Sequence, residues 1–527
     1  MIFRGLRPDI AIPEVNLTHF LLERAAEWPD RPALIEGPTG RTLTYGQWAD
    51  AVRRGARGLA ARGFRKGDVF GIYSPNVPEY AVAFHAVSLA GGACTTVNPI
   101  YTVEELTYQL EDSRASYLVT APPFLDKAKE AASRAGLRET FVFGEAPGAT
   151  PFRALLEEDG PPPEIATRPG EDVVALPYSS GTTGLPKGVM LTHRNLVANL
   201  LQTHHSIHIL GPEDVVIGVL PFFHIYGMVV VMNLSLYLGA TVVTMPRFEL
   251  EPFLATLQKY RVTFANVVPP IVLALAKHPV VDNYDLSALR AVFSGAAPLG
   301  EGVAKACAAR LGCPVMQGYG LTETSPVTHA SPMEEGNIKV GSVGHCLANT
   351  ECRIVDLVSG GDLGPDQQGE ICIRGPQVMK GYLNRPEATA AMIDAQGWLH
   401  TGDIGYADEE GHFFVVDQLK ELIKYKGMQI APAELEAVLL THPAVADAAV
   451  VPYPDEEAGE VPKAFLVLKS DADPEEILAY VAERVAPYKR IRRFEVLGQI
   501  PKSLSGKILR RVLIAQQQGG TAEARPN

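Results

Sequence analysis

The sequence predicts an α/β protein with a large N-terminal region of layered βαβ sheets carrying a β-rich subdomain, followed by a small α+β C-terminal unit. Three observations point there. From Asp68 onward apolar strand-like runs alternate with amphipathic helix-like runs; from about Val340 short strands are separated by Gly and Pro; past Asp417 a compact mixture of both begins. A chain of 527 residues also exceeds what one hydrophobic core usually serves, so two or more domains are expected.

The first alternation reads strand VFGIYS, turn Pro75-Asn76, helix PEYAVAFHAVSLA, turn Gly91-Gly92, strand ACTTVN, helix VEELTYQLEDS and strand SYLVT. Repeated βαβ units imply a largely parallel sheet with helical cover. Residues 215–246 carry no Asp, Glu, Lys or Arg and are long enough to span a bilayer. Pro221, His224, Asn233 and Gly239-Ala240 instead divide them into strand VVIGVLP, helix YGMVVVMNLSLYL and strand ATVVTM, and sheet strands covered on both faces are themselves apolar runs. A helix near Glu251–Tyr260, strand TFANVV, helix PIVLALAKH and strand AVFSGAAP continue the pattern. RIVDL, GEICIRG, VMKGYL and HFFVVD make up the β-rich subdomain. The last unit contains helix PAELEAVLLTHP, strands VADAAVVPY and KAFLVLK, helix PEEILAYVAERVA and a closing helix over SGKILRRVLIAQQ. The expected boundaries are 1–416, a linker at 417–420, 421–515, and a frayed tail at 516–527.

Composition narrows the function. A net charge of −13, from 47 basic and 60 acidic residues, argues against nucleic-acid binding by counterion release. The six cysteines form no C-x-x-C pair, so neither a zinc motif nor a redox motif is indicated, and scattered thiols suit a reducing cytoplasm. The start, MIFRGLRPDIAIP, places charges and prolines where a signal peptide needs an apolar run, so no export is expected.

The most informative segment is YSSGTTGLPKGV, Tyr178 to Val189: two serines, two threonines, three glycines and one lysine in twelve residues. Glycine lets backbone N–H groups approach phosphate oxygens without a Cβ in the way, while hydroxyls and an ammonium offset anionic charge. The loop follows the apolar run Val173–Tyr178 and precedes the helix-like VMLTHRNLVANLLQ, a strand–loop–helix setting for a polyphosphate. The Walker A spacing is met neither here nor at Gly506-Lys507, which disfavours an ordinary P-loop NTPase.

Further segments follow in order: PFFHIYG from Pro221, SGAAPLG from Ser294, QGYGLTE from Gln317, WLHTGD from Trp398, VVDQLKELIKYKG from Val415 and PKSLSGKILRR from Pro501. Together with the glycine loop they resemble the adenylate-forming superfamily of acyl-CoA synthetases, luciferases and peptide-synthetase adenylation domains. The likeness runs over nearly the whole chain. It is strongest to 4-coumarate:CoA ligases and related bacterial fatty acyl-CoA ligases, through FRGLRPDIAIP, PFFHIYG and KELIKYKGMQIAPAELEAVLLTHP.

The resemblance implies an ATP- and Mg²⁺-dependent ligase that joins a small-molecule carboxylic acid to coenzyme A through an acyl-adenylate, as a monomer or homodimer. By that likeness Ser179, Ser180, Gly181, Thr182, Thr183, Gly184 and Lys187 hold the β- and γ-phosphates, and Thr322 and Glu323 stand at the α-phosphate, with Glu323 on the metal. Ala296, Ala297, Gln317, Gly318, Tyr319 and Gly320 surround the adenine, and Asp403 takes the ribose hydroxyls. Lys507 supplies positive charge where the carboxylate meets the α-phosphate. The C-terminal domain is implied to be mobile, alternating between two orientations about a hinge at Asp417–Lys420 with its pivot at Lys420. After rotation the KYKG loop would replace Lys507 at the site, with Gly427 giving the pantetheine arm a path free of a Cβ, and Lys424 and Gln429 match positions that assist catalysis and AMP binding in 4-coumarate ligases. The basic run YKRIRR, Tyr488 to Arg493, suits CoA phosphates or a solvated face equally.

One residue departs from the pattern. The superfamily reads D-R-x-K at the hinge, whereas Gln418 stands in the arginine's place. Glutamine hydrogen-bonds but carries no charge, so roughly 1–2 kcal/mol of nucleotide interaction is expected to be missing, and restoring arginine is expected to lower the apparent KM for ATP. His224 argues for an acid substrate, because amino-acid-activating relatives carry an aspartate in that segment for the substrate amine. The ring would gate the acyl pocket and approach the reacting carboxylate, or simply pack there. Tyr226, Ser294, Gly318, Pro326 and Val327 would line that pocket, whose small and apolar side chains admit a hydroxycinnamate such as 4-coumarate or a medium to long alkyl chain equally well. Transfer to a carrier protein, a luciferase-like oxidation and a nucleotide-binding module without catalysis are the remaining alternatives.

Overall fold

The computed structural model describes residues 1–179, 186–207, 210–333, 338–426, 428–455, 458–469, 472–503 and 506–517, with the backbone alone at Gln429. Among the described residues the strands form four sheets. The first is built on the parallel strands Val69–Tyr73, Ala93–Val97, Ala115–Thr120 and Val173–Ser179 and ends on the antiparallel pair Lys187–Thr192 and Gly381–Tyr382. The second runs parallel through Val315–Gly320, Ala291–Ser294, Phe264–Val267, Val215–Gly218, Thr241–Thr244 and Pro32–Glu36, with Val327–Ala330 and His345–Cys346 added antiparallel at one edge. A smaller antiparallel sheet joins Phe3–Arg4, Glu351–Val355, Gly369–Arg374, Leu399–Ala407 and Phe413–Gln418. The C-terminal unit has its own sheet around the long hairpin Val445–Asp455 and Gly459–Leu468.

Helices fill the space between the large sheets. Helix Pro78–Leu89 is buried at every position but Glu79, as expected of a helix apolar all round. It packs on helix Tyr45–Ala61, which starts with a reciprocal capping box between Thr44 and Gln47 and buries Trp48 fully. The C-terminal unit has a separate core of Ile423, Leu435, Leu439, Val450, Leu466 and Ile477. That separation makes it a domain in its own right.

The structure corrects four local expectations. Lys187–Thr192 is a strand antiparallel to Val173–Ser179, with Lys187 opposite Ser179, and the helix begins only at His193. The glycine loop therefore joins two strands and is not a helix N-terminus. The apolar alternation in KGVMLT could be satisfied only by cross-strand pairing. VMKGYL contributes Gly381–Tyr382 to the first large sheet, not to the β-rich subdomain. The central helix is π-helical over Tyr226–Asn233, where the Asn233 amide donates to the Met228 carbonyl at 2.9 Å, and regular over Leu234–Leu238. The closing helix starts at Arg510, so Lys507 lies in a turn where Ser503 N–H donates to the Lys507 carbonyl at 2.8 Å.

Burial also sets the protein's response to acid. His85 and His193 lie in the core, and burial holds their pKa values down at about 3 and about 4. The unfolded chain binds a proton at each below its ordinary pKa near 6.5 while the folded chain does not, so stability is complete above that value and falls as the pH drops. Urea unfolding between pH 7.5 and pH 4 is expected to show losses approaching on the order of 3 kcal/mol per histidine. His193→Gln, which keeps an acceptor for the Leu17 N–H, should shrink that slope.

Candidate active site

The carboxyl ends of the parallel strands in both large sheets open into one cleft of about 1900 Å³, where open α/β sheets usually bind ligands. Its far wall is the C-terminal domain, and residues from all three parts of the N-terminal region line it. Of the residues expected at the site, Ser179, Lys187, His224, Tyr226, Ala296, Ala297, Gln317, Gly318, Tyr319, Gly320, Thr322, Glu323, Pro326, Val327, Asp403, Gln418, Lys420 and Lys507 lie on this one surface. Ser180, Gly181, Thr182, Thr183, Gly184 and Gly427 fall outside the described residues.

The end beside the glycine loop is organised around Glu323. Its Oε1 accepts hydrogen bonds from the Ser179 hydroxyl and the Tyr382 hydroxyl, both at 2.8 Å. Glu323 is 7% exposed, and no cation among the described residues pairs with it. Two hydroxyl donors thus orient a hard oxygen ligand of the kind Mg²⁺ takes, so the residues fit that ion. Lys187 sits with its ammonium 4.8 Å above the Tyr382 ring. Tyr382 escaped the sequence reading because its partner is 59 residues away and MKGYL carries no chemical signal of its own.

The opposite end is built on a hydrogen-bonded relay. The Tyr319 hydroxyl donates to Asp403 Oδ2 at 2.6 Å, the Gln418 amide donates to Asp403 Oδ1 at 3.1 Å, and the Lys507 ammonium donates to Gln418 Oε1 at 2.9 Å. Burial raises the Asp403 carboxyl above the usual range, against the pull of Tyr319, Gln418, Lys507 and Lys420. Lys420 is lowered, by burial first and then by the charge of Lys507. Ala296 holds φ at +70°, an uncommon conformation for a residue with a Cβ, at the turn that faces Tyr319. Gly320 admits no side chain, since a Cβ would lie 1.9 Å from the Pro326 carbonyl oxygen.

The third side is apolar. His224 accepts the Tyr226 N–H on Nδ1 at 3.3 Å, which leaves the proton of the neutral ring on Nε2. Surrounding protein depresses its pKa to about 4, so the ring is uncharged near neutral pH. The Tyr226 hydroxyl is tied to the Phe293 carbonyl at 3.1 Å, and a Cβ on Gly318 would collide with the Phe293 ring at 2.5 Å. Ser294 is buried but does not line the cleft, unlike the other residues expected there.

Lys424 projects from strand Ile423–Tyr425 away from the cleft, with Gln429 opposite it on the next strand. In the basic run, Lys489 pairs with Glu434 at 2.7 Å, Arg492 stacks 4.3 Å over Tyr425 and Arg493 lies 4.5 Å over Tyr453. Three of its cations are therefore engaged within their own domain.

A protein with this layering and this cleft, walled on one side by a separate small domain, has the architecture of a nucleotide-dependent ligase. The family model of the AMP-binding enzyme matches residues 21–383 and that of the AMP-binding enzyme C-terminal domain matches residues 434–507; the chain belongs to this family, the adenylate-forming enzymes. It is 46% identical to 4-coumarate--CoA ligase 1 of Petroselinum crispum, over 99% of this chain and 97% of that one. It is likewise 46% identical to 4-coumarate--CoA ligase 3 of Arabidopsis thaliana, over 98% and 94%. Among solved structures it is similar to the anthranilate CoA ligase AuaEII in complex with anthranoyl-AMP, with a TM-score of 0.89 at 25% identity over 96% of this chain and 98% of that one. The o-succinylbenzoate CoA synthetase of Bacillus subtilis in complex with its acyl-adenylate gives a TM-score of 0.81 at 34% identity, over 94% and 97%.

The Glu323 arrangement yields a direct expectation. Tyr382→Phe removes one of two donors to a buried carboxylate and should lower the unfolding free energy by about 1.5–3 kcal/mol, measured by urea denaturation. An unchanged midpoint would mean that solvent already satisfies that oxygen.

Proposed function

We propose that this protein is an ATP-dependent carboxylic acid:CoA ligase acting in the cytoplasm on a hydroxycinnamate such as 4-coumarate or a similar hydrophobic acid. The observation that carries the reading is that Ser179, Lys187 and Glu323 at one end of a single cleft, and Asp403 and Lys507 at the other, face the same space. The curated relatives named above support the substrate class. Six unpaired, buried cysteines among the described residues suit a reducing compartment, and no helix described is long and apolar enough to cross a membrane.

In the first half-reaction a carboxylate oxygen attacks the α-phosphorus of ATP and pyrophosphate leaves. In the second, the CoA thiol attacks the acyl carbon, AMP leaves, and the thiol proton passes to solvent. Positioning and charge neutralisation do most of the work in such a transfer. The glycine-rich loop and Lys187 hold the terminal phosphates, and Thr322 stands at the α-phosphate. Glu323 would hold Mg²⁺, whose charge offsets that of the phosphates. Tyr319 and the backbone at Ala296 and Ala297 flank the adenine, and Asp403 binds the ribose diol. Neutral His224 and the wall of Tyr226, Gly318, Pro326 and Val327 admit an apolar acyl group and present no anion that would repel its carboxylate. Lys507 supplies the ammonium where negative charge builds between acid and phosphate.

Gln418 has a positioning role in this scheme. Its carbonyl oxygen accepts from Lys507 while its amide donates to Asp403, which a guanidinium could not do, because arginine has no acceptor. The expectation that arginine would improve the site is thereby revised: it would repel Lys507 and Lys420. Lys424, Gln429 and Gly427 belong to the thioester-forming orientation, reached by rotation about Asp417–Lys420.

Release of pyrophosphate on adding a hydroxycinnamate, with AMP release and thioester formation dependent on CoA, tests the assignment; a chain that binds ATP without turnover would overturn it. Lys507→Ala should abolish adenylate formation while largely keeping thioester formation from supplied acyl-adenylate, and equal loss of both halves would refute the lysine's role. Gln418→Leu and Gln418→Arg should each slow pyrophosphate exchange by about 10- to 100-fold, from a lost charged hydrogen bond of about 1.5–3 kcal/mol, with thioester formation from supplied adenylate little changed.

A further inference from the structure

Beneath the tyrosine of the relay lies a cluster that the ligase reaction does not use. His329, Cys346 and Cys352 are 0%, 3% and 0% exposed, and their Nε2 and two Sγ atoms all lie within 4.8 Å of one another. They come from three strands. His329 and Cys346 face each other across the antiparallel pair at the edge of the second large sheet, and Cys352 belongs to the small antiparallel sheet of the β-rich subdomain.

The Thr328 hydroxyl lies 3.1 Å from the Tyr319 carbonyl and 3.0 Å from His329 Nδ1, so the ring is held through that nitrogen. Its Nε2 faces the cluster, 3.3 Å from Cys346 Sγ. A histidine held through its other nitrogen in this way has the arrangement of a metal ligand. The surroundings are apolar: Phe3, Val343, Ile354, Ile371, Ile373 and Phe413 pack around the two thiols.

We propose that His329, Cys346 and Cys352 bind a divalent thiophilic ion of the Zn²⁺ class. Two thiolates cancel the charge of such an ion, so the occupied unit is electrically neutral, as an apolar core requires; a monovalent ion would leave a buried negative charge. Binding releases the two thiol protons to solvent. The ion would staple the second large sheet to the small antiparallel sheet, the same junction that the Tyr319–Asp403 hydrogen bond crosses. Tyr319 is itself the strand partner of His329, so occupancy bears on the nucleotide platform without contacting nucleotide.

The test uses the full chain, reduced anaerobically and stripped with chelator, titrated with Zn²⁺ and in parallel with Co²⁺ as a spectroscopic probe. About one equivalent per chain should bind, with a thiolate-to-cobalt charge-transfer band and a raised Tm. Cys346→Ser and Cys352→Ser should each lose the band. Uptake well below one equivalent overturns the proposal. So does a band that survives both substitutions but disappears in Cys372→Ser, which would move the ion to the neighbouring Glu370, Cys372 and His400 group. Should the serine variants fail to fold, X-ray absorption of the loaded wild-type protein decides: two sulfur neighbours and one imidazole support the site, and fewer than two sulfurs overturn it.

Discussion

Asp403 is the point on which three separately folded parts of this protein converge. The tyrosine that donates to it stands on the second large sheet, the carboxylate itself on the small antiparallel sheet, and the ammonium that reaches it through Gln418 on the C-terminal domain. Burying an unpaired carboxylate is costly, so each partner removed leaves a charge that the surrounding protein cannot solvate. The relay therefore ties the three parts together in this orientation and shapes one end of the cleft.

The same logic operates at Glu323. A carboxylate held by the Ser179 and Tyr382 hydroxyls connects the strand before the glycine loop to the antiparallel edge of the first sheet. The two acidic centres line the same cleft. One is held by two hydroxyls, and the other by a hydroxyl and an amide that also accepts from the Lys507 ammonium. The C-terminal domain presents Lys507 to this space, whereas Lys424 does not line it. Beside residues 417–420, Arg510 pairs with Glu421 at 2.9 Å within the C-terminal domain, and the Ala433 N–H donates to Asp417 at 3.0 Å.

Local chemistry made much of this readable from residues alone. Alternating apolar patterns located the βαβ units, because a strand buried on both faces and a helix buried all round leave different signatures in sequence. The readings that needed correction share one cause. KGVMLT, MKGYL and the turn around Lys507 adopt conformations set by pairing with other segments: KGVMLT with the strand ending at Ser179, MKGYL with the distant Val189, and the turn through the bridge of Ile508 to Lys502. Apolar periodicity alone does not show which pairing a segment will make, and for MKGYL the partner lies nearly two hundred residues away. Tyr382 and the His329, Cys346 and Cys352 cluster escaped for the same reason, since C-x-x-C spacing is only one of the ways in which thiols can be brought together.

The sequence by itself determined the class of chemistry. Small donors and glycines crowded into one loop point to a polyphosphate ligand through residue type and local spacing, and the ordered series of segments behind it resembles the adenylate-forming superfamily. What only the tertiary structure decided is how the pieces are joined: that Gln418 is a neutral bridge between an ammonium and a carboxylate, that Tyr382 shares Glu323 with Ser179, and that two cysteines and a histidine from different sheets meet beneath Tyr319. Hydrogen bonds and metal–ligand bonds act over about 3 Å, and separation along the chain carries no information at that scale until the sheets are assembled.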